Sequence, residues 1–178
     1  MKILLSFLFI FSVQAAEITF EPYIGPYLFG TYSDGSSSSI SGFGIGAKGG
    51  FFFAKSFIAG LELTTAALEA DKNPKENHEE QGIGVFGGMI VPGVPIRAWM
   101  TFYPVYISRI GGGRRIDGSA FKLGLGISPF PLPISFNMEY LMATFDDQQV
   151  NGRTETLTPE ASSQNLMVNV SFPLSTPL

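Results

Sequence analysis

Apolar and polar residues alternate along most of this chain with a period of two, which is typical of a β-strand with two unlike faces. The alternation recurs in eight segments, at residues 18–32, 40–51, 57–69, 81–90, 96–107, 119–128, 134–145 and 165–172. Glycines are spread through these segments, and each one would weaken a helix by about 1 kcal/mol. The pattern therefore predicts an all-β chain of eight strands.

The connections between these segments alternate in length. Three of them are short, at residues 52–56, 91–95 and 129–133. Four are longer and polar, at residues 33–39, 70–80, 108–118 and 146–164. Short turns at one end and long polar loops at the other are typical of antiparallel barrels that span a bacterial outer membrane. We therefore expect an eight-stranded antiparallel up-and-down transmembrane β-barrel with four surface loops.

Alternation alone does not say which face of the strands meets water. Charged residues make up only 15% of the chain, whereas a soluble barrel needs a surface with roughly 25–35% charge. The polar face carries many glycines and six charged residues: Glu21, Lys48, Glu62, Arg97, Lys122 and Glu139. That face suits a narrow lumen, and the apolar face suits contact with outer-membrane lipid. The alternative is a secreted, soluble, lipocalin-like carrier, whose apolar face would line a ligand cavity.

An eight-stranded barrel has an interior just wide enough to be filled by side chains. The six lumen charges are three acidic and three basic, so we expect them to pair, for example Glu62 with Lys48 from the adjacent strand. We also expect an inward plug of five aromatic side chains: Tyr23, Tyr27, Phe29, Trp99 and Tyr103.

Further aromatic residues lie near the strand ends, where outer-membrane barrels carry two aromatic girdles. Those near the short turns are Phe51, Phe52, Phe53, Phe57, Phe130 and Phe172. Those toward the loops are Tyr32, Tyr106, Tyr140 and Phe145. Their positions favour two girdles that flank an apolar band.

The start of the chain has the features of a secretory signal peptide. Lys2 precedes an apolar run at residues 3–13, and Val13-Gln14-Ala15 forms a small-x-small site. We expect cleavage after Ala15. Residues 1–15 would then be removed, and residues 16–178 would form one barrel domain in the bacterial outer membrane.

Residues 166–172 read Leu-Met-Val-Asn-Val-Ser-Phe, an alternating strand that ends on an aromatic residue. This segment resembles the terminal strand signal of bacterial outer-membrane barrels, although residues 173–178 follow the aromatic residue. The whole mature chain resembles the small eight-stranded barrels of the OmpA/OmpX type. The resemblance implies that the barrel assembly machinery recognises the last strand, and we expect a monomer.

Composition excludes several kinds of chemistry. A formal net charge of −4 gives no electrostatic footprint for binding nucleic acid, and the absence of cysteine excludes thiolate metal sites. His78 is the only histidine and falls in the second predicted loop, where we expect a solvated side chain. We expect a turn rather than a calcium site at Asp146 and Asp147. No metal, cofactor or enzymatic activity is expected.

The third predicted loop is basic, because it contains Arg109, Arg114 and Arg115. Its Gly-Gly-Gly-Arg-Arg run is not a phosphate-binding loop, since it lacks the Gly-Lys-Ser/Thr ending and no helix follows. These arginines could pair with the acidic second and fourth loops. They could also contact the phosphates of lipopolysaccharide.

A filled lumen favours a structural or surface-interaction role. Three alternatives stay open besides it. One is a narrow porin-like transport channel. Another is a rim enzyme that acts on lipids, in which Ser108 or a loop serine would meet His78. The last is the soluble carrier described above.

Overall fold

A computed structural model of the chain describes residues 17–53, 56–72, 74–111, 113–129, 132–150 and 153–177. The expected signal peptide at residues 1–15 and Phe130 lie outside these residues. Eight long strands follow one another: β1 (Glu17–Ser33), β2 (Ser37–Phe53), β3 (Phe57–Ala70), β4 (Glu76–Ile90), β5 (Ile96–Ile110), β6 (Arg114–Ile127), β7 (Ser135–Val150) and β8 (Arg153–Ser171). A short ninth strand, β9, covers Leu174–Pro177.

Each long strand pairs antiparallel with the next one along the chain, and β1 also pairs with β8. This last pairing closes the sheet, so the prediction of an eight-stranded up-and-down barrel is confirmed. Among the described residues, no helix is long and apolar enough to cross a membrane. We call the end of the barrel that holds residues 34–36 the loop end, and the opposite end, where β1 begins, the terminal end.

The barrel carries its apolar side chains on the outside. Large hydrophobic residues are exposed around the wall, among them Ile24, Ile45, Leu61, Leu63, Ile83, Val85, Met100, Phe102, Leu125, Ile127, Phe136 and Met138. Many polar and charged residues of the same strands are buried instead, among them Glu21, Lys48, Glu62, Lys122 and Glu139. An apolar exterior around a polar interior is the arrangement of a transmembrane barrel. It is the reverse of the arrangement that a soluble carrier requires.

The prediction of long polar loops is wrong, because the strands continue through most of those residues. The connection between β1 and β2 contains only residues 34–36. Strand β5 ends at Ile110, and β6 already begins at Arg114. Strand β7 extends to Val150. Beyond the lipid, both faces of a strand can be polar. The alternation that marks a membrane strand then disappears from the sequence. His78 therefore lies in β4, and Asp146 and Asp147 lie in β7.

Phe29 was expected to point inward, and this prediction is wrong. Its side chain is 71% exposed, next to the exposed Leu28. The pairing register of β1 shifts between Tyr27 and Phe29 against β8, and between Tyr27 and Gly30 against β2. Such a bulge puts an extra residue into one strand and reverses which residues face inward beyond it.

The prediction of an aromatic girdle at the loop end is also wrong for three of its four residues. Tyr32, Tyr106 and Phe145 are buried in the lumen, and only Tyr140 is exposed. Tyr32 and Tyr106 follow bulges in β1 and β5, and Phe145 shares the inward phase of Glu139. At the terminal end, exposed aromatics include Phe51, Phe57 and Phe172.

Candidate functional site

Six charged side chains meet inside the barrel, and we call them the lumen network: Glu21, Lys48, Glu62, Arg97, Lys122 and Glu139. They come from six strands, β1, β2, β3, β5, β6 and β7. Five of the residues are at most 4% exposed, and the Arg97 side chain is 14% exposed. Three positive and three negative groups balance, so the buried network is neutral as a whole.

Two lysines and two glutamates occupy the centre of this network. Lys48 Nζ lies 2.8 Å from Glu139 Oε1 and 3.9 Å from Glu62 Oε1. Lys122 Nζ lies 2.9 Å from Glu139 Oε2 and also forms an ion pair with Glu62. Lys48 and Glu62 are direct register partners on β2 and β3. Each cation is therefore shared by both anions.

Neutral hydrogen bonds complete the coordination of Glu62. The Tyr23 hydroxyl donates to Glu62 Oε1 at 2.7 Å, and the Thr101 hydroxyl donates to Glu62 Oε2 at 2.6 Å. A buried carboxylate is tolerated when its lone pairs are satisfied in this way. Both carboxylate oxygens of Glu62 thus accept hydrogen bonds in addition to its ion pairs.

Arg97 forms a second group nearer the terminal end. Its Nη1 donates to Glu21 Oε2 and its Nη2 donates to Glu21 Oε1, each at 2.5 Å. Its Nη2 also donates to Asn137 Oδ1 at 2.7 Å and to Ser171 Oγ at 2.9 Å. A bidentate arginine–carboxylate pair fixes both partners in position as well as in charge.

Aromatic rings pack between these charged groups. Lys48 Nζ lies 4.4 Å from the centre of the Trp99 ring, and Arg97 lies 5.0 Å from it. Trp99 fits because the facing residue is Gly124, where a Cβ atom would lie 2.1 Å from Trp99 Cε2. The predicted plug is therefore present at Tyr23, Tyr27, Trp99 and Tyr103, all of them buried.

A further polar layer, which was not predicted from the sequence, lies between this network and the loop end. Glu80 is buried, and the Tyr106 hydroxyl donates to its Oε2 at 2.7 Å. Asn165 Nδ2 donates to Ser163 Oγ at 2.8 Å in the same buried layer. Glu80 lies two residues before Gly82 on β4, so both face the lumen. This spacing from a predicted lumen residue could have identified Glu80 from the sequence.

At the loop end, a set of ion pairs covers the lumen; we call Asp34, Lys72, Glu76 and Arg114 the rim cluster. Lys72 Nζ lies 3.3 Å from both Asp34 and Glu76, and Arg114 lies 3.5 Å from Asp34. His78 is buried beneath the cluster, so its expected solvated position is wrong. Its ring meets Tyr32 edge-on at 4.6 Å between centroids.

The possible Ser108–His78 catalytic pair is not formed. Glu80 is the register partner of Ser108, whereas that of His78 is Ile110. Within the part of the chain that the structure describes, Ser108 Oγ and both His78 ring nitrogens have no hydrogen-bond partner, and His78 Nε2 lies 3.5 Å from Glu76 Oε2. Both residues are buried, so neither is placed to meet a substrate at the rim. Within the described residues, no group of three or more acidic or histidine side chains could hold a metal ion.

The three arginines singled out in the sequence occupy two different faces. Arg109 and Arg115 are register partners on β5 and β6, and Arg109 is exposed on the outer wall. Arg115 also holds Asp117, with its terminal nitrogen 2.6 Å from Asp117 Oδ1. Arg114 belongs to the rim cluster instead, and its Nε donates to Gln148 Oε1 at 3.1 Å.

No protein-family model and no curated protein matches the sequence. The fold, however, is similar to that of solved structures. Ail, the attachment invasion locus protein of Yersinia pestis, has a TM-score of 0.58 at 7% identity, covering 90% of this chain and all of Ail. Neisserial surface protein A (NspA) has a TM-score of 0.55 at 13% identity, covering 89% and 97%.

The outer membrane enzyme PagL is also similar, with a TM-score of 0.50 at 10% identity, covering 86% of this chain and 99% of PagL. At such identities the likeness concerns the fold alone. Together with the apolar exterior, it supports a location in the bacterial outer membrane. The chain therefore has the fold of the small eight-stranded outer-membrane β-barrels.

Proposed function

We propose that this protein is a monomeric outer-membrane barrel with a structural or surface-interaction role, exported with residues 1–15 cleaved. The filled lumen carries the proposal. Side chains occupy the interior from Arg97 near the terminal end, through the lumen network and the Glu80 layer, to the rim cluster. A solute would have to break several buried ion pairs to pass. The buried positions of Ser108 and His78 further support a role other than catalysis.

In a planar lipid bilayer, we expect the refolded protein to give no defined single-channel conductance. Insertion is checked first on a detergent gel, because a closed barrel resists the detergent when cold and migrates differently after boiling. A unitary conductance step that changes in size with Lys122→Met would overturn the proposal. The narrow porin-like channel would then become the first candidate function.

The outer wall offers a place for a phosphate-bearing lipid headgroup, and we infer that Arg109 and Arg115 contact lipopolysaccharide there. Arg109 lies one outward position beyond Ile107 on β5. Like charges directly opposite each other on neighbouring strands destabilise a sheet. Asp117 already offsets part of this repulsion through its ion pair with Arg115. A phosphate beside Arg109 would offset the rest, because guanidinium groups bind phosphate with two parallel hydrogen bonds.

We expect lipopolysaccharide to raise the unfolding temperature of the detergent-solubilised barrel. The Arg109→Gln/Arg115→Gln variant should lose most of that rise, because it lacks both cations. The control variant Lys75→Gln/Arg153→Gln removes the same charge from other exposed positions and should keep the rise. Equal loss in both variants would reduce the effect to net charge and remove the proposed contact.

A further inference from the structure

The pairing between β1 and β8 closes the barrel, and we call it the seam. The placement of its prolines is unusual. The Phe172 N–H donates to the Pro22 carbonyl at 3.0 Å, so the backbone of Pro22 faces the β8 side. Along a strand the bonding groups of successive residues alternate in direction, so Pro26 faces the same side. Proline has no N–H. β1 therefore lacks two donors on the edge that must close the barrel.

The pairing of the seam is interrupted at both prolines. Tyr23 pairs with Ser171 and Ile24 with Val170, and the next pair is Tyr27 with Met167. Residues 25 and 26 have no register partner in β8, and β8 itself ends at Ser171, opposite Tyr23 and one residue short of Pro22. Between Pro26 and the terminal end, β8 thus holds β1 by two register pairs only.

Strand β9 resumes the pairing beyond this gap without a shift of register. Phe20 pairs with Leu174 and Ile18 with Thr176, and two further pairs join Glu17–Phe20 to β9. β9 therefore supplies four of the six register pairs at this end of the seam. Segment β7 begins at Ser135, which pairs with Ser171, so β7 does not extend along β9.

The prolines of this C-terminal segment lie on its other edge. The Phe172 N–H faces β1, so those of Leu174 and Thr176 face β1 and that of Ser175 faces away. Pro173 and Pro177 share the phase of Ser175, at positions where no bond to β1 is lost. Proline at such positions also blunts an edge against pairing with other chains.

The same segment covers a cavity at the terminal end of the lumen. This cavity has a volume of about 290 Å³, and Pro173 and Ser175 line it together with Glu21, Arg97 and Trp99. Removal of the segment would therefore open the seam at its terminal end and would also expose the Glu21–Arg97 pair.

We propose that residues 173–177 are a clasp that holds the barrel seam closed at its terminal end, where the prolines of β1 prevent β8 from doing so alone. Opening of the clasp is then the first step of unfolding. This inference goes beyond the proposed surface role, because the clasp acts on the wall and not on any partner.

Thr176→Pro and Ser175→Pro form a matched pair for the test. Both place proline in β9, but only Thr176→Pro removes an N–H that faces β1. The proteins are refolded from urea into detergent, so the cellular assembly machinery plays no part, and the temperature at which the cold-resistant gel band disappears is measured. We expect Thr176→Pro to lower this temperature by about 5 °C. Ser175→Pro should change it by no more than about 1 °C.

A chain that ends at Phe172 provides the second variant. We expect it to unfold at least as readily as Thr176→Pro, and its failure to fold while Ser175→Pro folds would also support the clasp. Equal shifts in the two proline variants, or a truncated chain that unfolds at the wild-type temperature, would overturn the proposal. Neither result bears on conductance or lipid binding, so the proposed function is tested separately.

Discussion

Glu139→Gln is expected to lower the free energy of unfolding by about 3–5 kcal/mol, because it leaves a buried positive charge without compensation. Glu139 contacts both Lys48 and Lys122 within 3 Å. Without its charge, the two ammonium groups would share Glu62 alone in an interior closed to water. The loss is measured by urea unfolding of the protein in lipid vesicles, followed by tryptophan fluorescence from Trp99.

A charge-balanced control separates the missing charge from the changed shape. Lys48→Gln/Glu139→Gln removes one cation and one anion and leaves Lys122 paired with Glu62. We expect the double variant to be more stable than Glu139→Gln, since removing a whole pair costs less than removing one partner. A double variant whose loss equals the sum of the two single losses would show that the charges do not act together.

Gly124→Ala is expected to destabilise the barrel by about 2–3 kcal/mol through overpacking. The added Cβ would lie 2.1 Å from Trp99 Cε2 and 2.4 Å from Cζ2. The indole ring has little room to move away, because Lys48 and Arg97 both pack against it. Urea unfolding in vesicles measures this loss as well.

Gly49→Ala is the matched control for this effect. Gly49 lies on the outer wall of β2, and nothing lies within 4 Å of the position that its Cβ would take. We expect a change of no more than about 0.5 kcal/mol, as for other exposed substitutions. Equal losses at Gly49 and Gly124 would mean that a backbone effect common to both glycines, rather than the Trp99 contact, determines the loss of stability.

The strand bodies could be predicted because lipid and lumen demand opposite side chains at successive positions. Lys48, Glu62 and Lys122 stood out as charges in segments whose alternate residues are apolar. The eight strands and the inward phase of these residues follow from that contrast. Which charge meets which depends on register, and register is set by long-range pairing that periodicity does not contain.

The ends of the strands could not be predicted in the same way. Residues 76–80 read Glu-Asn-His-Glu-Glu, so neither face of β4 is apolar there and the segment resembles a loop. Glu80 and His78 were therefore missed as lumen residues. The bulge beyond Tyr27 reversed the phase of Phe29, and a bulge leaves no mark in a pattern of period two.

Short connections determine which surface the barrel exposes at its loop end. Residues 34–36 join β1 to β2, and five residues separate β3 from β4, so the accessible surface there is mostly paired strand. A protease needs an extended, unpaired segment to fit its cleft, and paired strands deny it one. An antibody against the folded barrel would recognise side chains that come together from neighbouring strands. A linear peptide with the sequence of any one strand would contain only part of that epitope.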